Sequence, residues 1–172
     1  MPAKQLPIPD VSVHKLATQI DARGFLTEFF RNSWVGVPIR QWTAMSLGAR
    51  VIRGPSVHLV HTDAVIALTG VLHIGLRDLR QTSSTYRQLC RLTLRGLEPQ
   101  LVLIPPGVMH TFYAATEPAM VIVGSTHEYD PDDDIKCRWQ DAGLDIDESI
   151  VGTIDSRARS LEHVIAAVNN RS

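Results

Sequence analysis

An all-β sandwich or barrel followed by a helical tail is the fold this sequence predicts, and three observations predict it. From Val51 onward, short apolar runs are separated by turn residues: VIRG, AVIALTG, VLHIGLRDL, LCRLTLRGL, LVLIPPG, TFYAA and AMVIVGS. That is the spacing of consecutive short strands. The runs are rich in Val, Ile, Leu and Thr, and Gly54, Gly70, Gly96 and Gly107 fall at or near their ends, where a positive φ costs least. Only the tail has a helical period: beyond Ser156, the apolar residues Leu161, Val164, Ile165 and Val168 fall on one helical face.

Taken in order, the opening segment MPAKQLPIPD has prolines where a secretory signal needs an unbroken apolar run. The stretch DARGFLTEFFRN alternates weakly, as a strand with an arginine at its turn or as a short helix. The runs that follow predict seven or more strands. The acidic run Asp130 to Asp134 reads as a solvated loop, because adjacent carboxylates repel one another. The 172 residues predict one domain, with a core barrel over about 20–147 and a tail over 148–172.

The composition is that of an ordinary globular chain: 44% hydrophobic and 20% charged residues, with 17 basic against 18 acidic side chains. This balance gives no electrostatic footprint for nucleic acid, and no apolar stretch reaches membrane-spanning length. The basic residues are mostly Arg, with Lys only at positions 4, 15 and 136. That bias suits bidentate recognition of phosphate or carboxylate. Cys90 and Cys137 form no C-x-x-C pair, so neither a zinc knuckle nor a disulfide framework is expected and a reducing cytoplasm is the default location. Both are read as buried packing residues.

The chemistry begins at Pro105 to His110, which has the P-x-G-x-x-H form of the second cupin motif, a turn that delivers a histidine to the barrel interior. Upstream, Asp63 stands at the first motif's distance from Gly70, with Asp in place of Glu. His58 and His61 are three apart and lack the usual H-x-H form. No metal is therefore expected. A metal-dependent cupin using some of His58, His61, Asp63 and His110 is the alternative, since imidazoles and a carboxylate suit a divalent transition ion.

A broader resemblance covers most of the chain. Asp21, Arg23, Gly24, Phe25 and Glu28, then Gln41, then Arg53 and Gly54 follow one pattern. Asp78, Leu79, Arg80, Ser83, Thr85 and Tyr86, then Ile104 to His110, then Tyr129, Asp130, Pro131, Arg138, Trp139 and Asp141 continue it in order. Together they resemble the dTDP-4-dehydrorhamnose 3,5-epimerase family of the cupin superfamily. The resemblance implies a cupin-type jelly-roll barrel and a homodimer whose nucleotide site is completed by the partner's N-terminal strand. It further implies a dTDP-linked sugar as ligand and proton transfer without metal or organic cofactor.

Carried over position by position, the resemblance makes Arg23, Glu28, Gln41 and Arg53 the nucleotide-binding set and Tyr129 the acid that protonates one sugar face. Asp155 partners the family's catalytic histidine. The departures are equally specific: the family's base histidine aligns with Ser56, and its enolate-stabilising lysine aligns with Asp63. Epimerisation beside a ketone needs a base, an electrophile for the enolate and an acid. This alignment supplies only the acid. His58 or His61 then substitutes for the base, with His110 and Asp155 shaping the site, and authentic 3,5-epimerase activity is expected to be weak or absent. A non-catalytic homologue that binds a ligand or a protein partner is the other reading.

The plainer readings stand beside these. His58 and His61 are equally a strand-edge pair on solvent, and Tyr129 an aromatic packed on Trp139. Arg23, Arg53 and Glu28 are equally surface ion-pair residues. His73 reads as a hydrogen-bonded wall residue, and His14, His127 and His163 as surface or structural.

Overall fold

The computed structural model describes residues 3–36, 38–141, 151–152 and 157–170. The N-terminal part contains β1 (Ala3–Gln5), β2 (Ser12–Lys15), a hairpin of β3 (Thr18–Asp21) and β4 (Gly24–Thr27), and a single turn α1 (Asn32–Val35). The body is β5 (Gln41–Leu47), β6 (Val51–His58), β7 (Asp63–Thr69), β8 (Val71–Asp78), β9 (Leu89–Arg95), β10 (Gln100–Ile104), β11 (Val108–Ala114) and β12 (Ala119–Ser125). It ends with β13 (Asp134–Lys136), a 3-10 turn (Trp139–Asp141), β14 (Val151–Gly152) and α2 (Leu161–Asn169). Every apolar run read as a strand is one. The DARGFLTEFFRN stretch resolves as the β3–β4 hairpin, with Arg23 in its turn.

The strands form two facing sheets, ordered β1-β2-β10-β7-β12-β5 and β13-β6-β11-β8-β9, a jelly roll that is flattened and not closed into a continuous ring. β14 pairs with Val51 and Ile52 of β6, and β13 with Ser56 to His58 of the same strand. Alternation along each strand decides what lies inside. In β7, Val65 and Ala67 face the core between the sheets, while Ala64 and Ile66 pack outward with Leu101, Leu103, Phe30 and Trp34. In β8, Leu72, Ile74 and Leu76 face the same interior. A continuous apolar run such as AVIAL thus marks a strand covered on both faces.

Two glycines are fixed by space. Gly70 joins β7 to β8 at φ +69°, and a Cβ there would lie 2.3 Å from the Pro118 carbonyl oxygen. Gly107, at φ +77°, ends the turn that leads into β11, and a Cβ would meet Arg80 Cγ at 2.6 Å. Both conformations favour glycine on φ alone.

The tail packs where its period predicts. Val164 and Ile165 of α2 are buried against Val57, Leu79, Met109 and Cys137, on the outer face of the second sheet. The helix starts at Leu161, with Ser160 Oγ accepting from the His163 amide. Ser160→Ala is expected to lower stability by about 1 kcal/mol, read as a shift in urea midpoint at unchanged m. Among the described residues no helix is long and apolar enough to cross a membrane.

Candidate active site

Period-2 alternation carries three of the candidate side chains to one end of the inter-sheet space. In β11, His110 lies two residues from Val108 and two from Phe112, both core residues, so it points inward with them. In β6, Val57 faces the outer core, while Ser56 and His58 line the cavity. Asp63 opens β7 and shares the inward face of Val65 and Ala67. His61 comes from the connection between β6 and β7.

That connection is pinned by Asp133. Its Oδ1 accepts from the amides of Leu59 at 2.7 Å and Val60 at 2.8 Å, and its Oδ2 lies 2.6 Å from His61 Nδ1. Asp133 is buried, so this member of the acidic run corrects the expectation of a solvated loop. The energetic reason is that two orphan backbone donors and an imidazole together offset its desolvation.

Around Asp63 the imidazoles converge. His58 Nε2 and His61 Nε2 each lie 3.3 Å from its carboxylate and His110 Nε2 lies 3.4 Å away. The His58 and His61 rings stack at 3.8 Å. His58 Nδ1 is 3.3 Å from the Asp133 carbonyl oxygen. Burial alone would raise the Asp63 pKa, but hydrogen bonds with His58 and His61 outweigh it and hold the carboxyl well below the usual range. Burial pulls the His61 pKa down, but Asp63 and Asp133 together raise it above the ordinary imidazole value. His110 is pushed down to about 4, since burial dominates the attraction of Asp63, and it is neutral at pH 7.

A cation also reaches this end. β13 pairs Lys136 with Ser56, and Lys136 Nζ donates to Ser56 Oγ at 2.9 Å and to Asp134 Oδ1 at 2.7 Å. An ammonium thus touches Ser56, the position that the resemblance aligns with the family's base. Lys136 and Asp133 are the two site residues that sequence reading missed. The only signal was the polar-apolar-polar alternation Asp134-Ile135-Lys136, too short to identify a strand.

These groups line a cavity of about 880 Å³ that also meets Gln41, Arg53 and Tyr129. Gln41 Oε1 accepts from the Tyr129 amide at 2.8 Å, and the Tyr129 residue stands 59% exposed at the rim. His58 and His61 are not a solvent pair: His61 is 6% exposed and the His58 side chain 15%. Arg23 and Glu28 lie elsewhere, on or beside the β3–β4 hairpin, where Arg23 pairs with Asp21 and Glu28 with Arg31. Asp155 lies outside the described residues. His73 bonds Thr93 as a wall residue, and His14 is buried beside Ser12.

The sequence profile described as dTDP-4-dehydrorhamnose 3,5-epimerase matches residues 5–163. The spore coat polysaccharide biosynthesis protein SpsL of Bacillus subtilis is 31% identical over 140 residues, 78% of this chain and 91% of SpsL. A dTDP-4-dehydrorhamnose 3,5-epimerase of Neisseria gonorrhoeae is 27% identical over 146 residues, 81% of this chain but 44% of that longer protein. Among solved structures, the Legionella pneumophila dTDP-6-deoxy-D-glucose-3,5-epimerase in complex with dTDP-4-keto-L-rhamnose superposes with a TM-score of 0.86 at 21% identity, over 98% of this chain and 96% of that one. At that identity the likeness establishes the fold.

Proposed function

Because the chain belongs to the dTDP-4-dehydrorhamnose 3,5-epimerase family, we propose that its cavity binds a dTDP-linked 4-keto-6-deoxyhexose and exchanges a proton beside the keto group. The observation that carries this reading is the meeting of His58, His61, His110 and Lys136 at the level of Ser56, inside a cavity of about 880 Å³. That volume is in the range of small-molecule sites. Base and electrophile are both supplied, from positions other than the family's own.

In this reading His58 is the base. It is the least buried of the three imidazoles around Asp63, while His61 is held between Asp133 and Asp63 and positions it. The carbon–hydrogen bond beside the ketone breaks, its proton passes to imidazole, and the enolate oxygen is stabilised by the Lys136 ammonium. Tyr129 returns a proton from the opposite face, inverting the carbon. The neutral His110 shapes the floor, and Asp155, outside the described residues, helps to shape and polarise the site. The step is redox-neutral and calls for no organic cofactor.

Gln41 and Arg53, on the cavity wall, hold the nucleotide. Arg23 and Glu28 reach a nucleotide only in a second copy of the chain. The β3–β4 hairpin suits that role, since it leaves Ile20 81% and Phe25 76% exposed. The homodimer is therefore part of the proposal. A second reading, a ligand-binding protein without turnover, is supported by Ser56 and Asp63, which stand where the resemblance places the family's histidine and lysine.

Nucleotide binding is tested apart from catalysis. Titration with dTDP is expected to give saturable heat, and Arg53→Ala is expected to cost roughly 1.5–3 kcal/mol of binding free energy through loss of a charge-assisted phosphate contact. Unchanged affinity in that variant removes Arg53 from the site. Absence of saturable heat in the parent removes the nucleotide altogether.

A further inference from the structure

We infer that His58, His61, Asp63 and His110 form a binding site for a divalent first-row transition-metal ion of the zinc, cobalt or nickel type. The donor atoms of His58, His61 and Asp63 all lie within 4.8 Å of one another, and His110 Nε2 lies 3.4 Å from the same carboxylate. The broken H-x-H spacing does not prevent this: the connection after β6 folds back so that His61 stacks on His58 at 3.8 Å.

The hydrogen bonds on the far side of each ring fix what faces inward. His61 Nδ1 is 2.6 Å from Asp133 Oδ2, and His58 Nδ1 is 3.3 Å from the Asp133 carbonyl oxygen. Both partners only accept, so each Nδ1 carries the proton, and in the neutral ring each Nε2 presents a lone pair. Those lone pairs point at an ionised carboxylate. Acceptors facing acceptors repel unless positive charge stands between them, either the ring protons of the His58 and His61 hydrogen bonds to Asp63 or a metal ion that replaces those protons. An ion would supply that charge, and the carboxylate behind His61 is the outer partner that metal-bound imidazoles usually have.

The separations from Asp63 agree, with His58 and His110 facing Oδ2 and His61 facing Oδ1. Charge-assisted N–H···O⁻ bonds are about 2.7–2.9 Å long, whereas the three Nε2 atoms stand 3.3, 3.3 and 3.4 Å from Asp63. Ligands bound at about 2.0–2.1 Å with tetrahedral angles lie about 3.3–3.4 Å apart. His110 adds a separate mark, because its Nδ1 is buried with no hydrogen-bond partner among the described residues. Imidazole with one carboxylate is a donor set for zinc, cobalt, nickel or iron and a poor one for magnesium or calcium.

The inference does not rest on the epimerase reading, and the two fail separately. An ion on His58 Nε2 also withholds the lone pair that proton transfer needs, so zinc loading is expected to suppress any deuterium exchange. The direct test is titration of the chelator-treated, dialysed full chain with Co(II), followed by visible spectroscopy, and with Zn(II) by calorimetry. One equivalent is expected to bind, with the intense bands of low-coordinate Co(II). Asp63→Asn and His58→Asn are each expected to weaken binding at least tenfold. Asp133→Asn, which would not touch the ion, is expected to weaken it about 10–100-fold, and His163→Asn to leave it unchanged. Far-UV circular dichroism checks each fold, and the partly exposed position of His58 makes His58→Asn the variant that decides if the buried ones unfold. The inference is overturned if the parent gives no saturable Co(II) spectrum, or if His58→Asn binds as the parent does.

Discussion

Asp78→Ala is expected to destabilise the folded chain by about 3–5 kcal/mol, the range for removing one partner of a buried ion pair. Asp78 ends β8 and is fully buried. One carboxylate oxygen accepts from Arg80 Nε at 2.9 Å and from the Arg80 amide at 3.1 Å. The other accepts from an Arg80 guanidinium nitrogen at 2.9 Å, Ser83 Oγ at 2.6 Å and Thr85 Oγ1 at 2.8 Å. Arg80 in turn donates to Asp10 and to the Pro9 carbonyl. Removing the carboxylate therefore releases the β8–β9 connection and the N-terminal segment together. A marginally stable domain has only about 5–15 kcal/mol in all. Guanidinium denaturation gives the measurement, and a loss under about 1 kcal/mol would show that the network is dispensable. The same group sets an acid limit. Burial alone would raise its pKa, but bonds from Arg80, Ser83 and Thr85 more than offset this and hold it below the ordinary carboxylate value. Its contribution is thus fully present above the unfolded pKa of about 3.9 and is lost as pH falls through the lower folded value.

The fold was legible because strand burial here follows a period of two and the turns are marked by glycines whose φ or surroundings demand them. AVIAL and LVLI read as strands, and they are, with residues packed on both faces. The inward aim of His110 was legible for the same reason: a proline-glycine turn sets the register of β11, and Val108 and Phe112 fix its face. Asp133 and Lys136 were not legible, because what makes them part of the site is long-range pairing. Lys136 reaches Ser56 through the β13–β6 register, 80 residues away in sequence, and Asp133 binds His61 across 72. No local period encodes either contact. Spacing alone also concealed that His58 and His61 share a carboxylate with His110, since a turn of the chain brings residues three apart face to face.

On dTDP-4-keto-6-deoxyglucose, double epimerisation at carbons 3 and 5 is expected to be very slow or absent, and whatever exchange occurs is expected to depend on His58 and Lys136. The resemblance aligns the family's base with Ser56, whose hydroxyl offers nothing resembling an imidazole lone pair and accepts from Lys136 Nζ at 2.9 Å. A positioned general base contributes about a hundredfold to ten-thousandfold, so a base displaced to His58 must supply that factor from a different place in the cavity. Asp63, which the resemblance aligns with the family's lysine, is held inside the imidazole cluster. The cation beside the enolate must then come from β13. Deuterium wash-in from heavy water, followed by NMR at both carbons, separates these roles. His58→Asn is expected to lower exchange by about 10²–10⁴-fold, and Lys136→Met by about 10²–10³-fold through loss of charge stabilisation. Tyr129→Phe should leave wash-in intact while abolishing net inversion, because it removes only the acid of the opposite face. Exchange at both carbons at ordinary enzymatic rates, surviving His58→Asn, would show that the base lies elsewhere in the cavity and that the displacement from Ser56 to His58 is wrong.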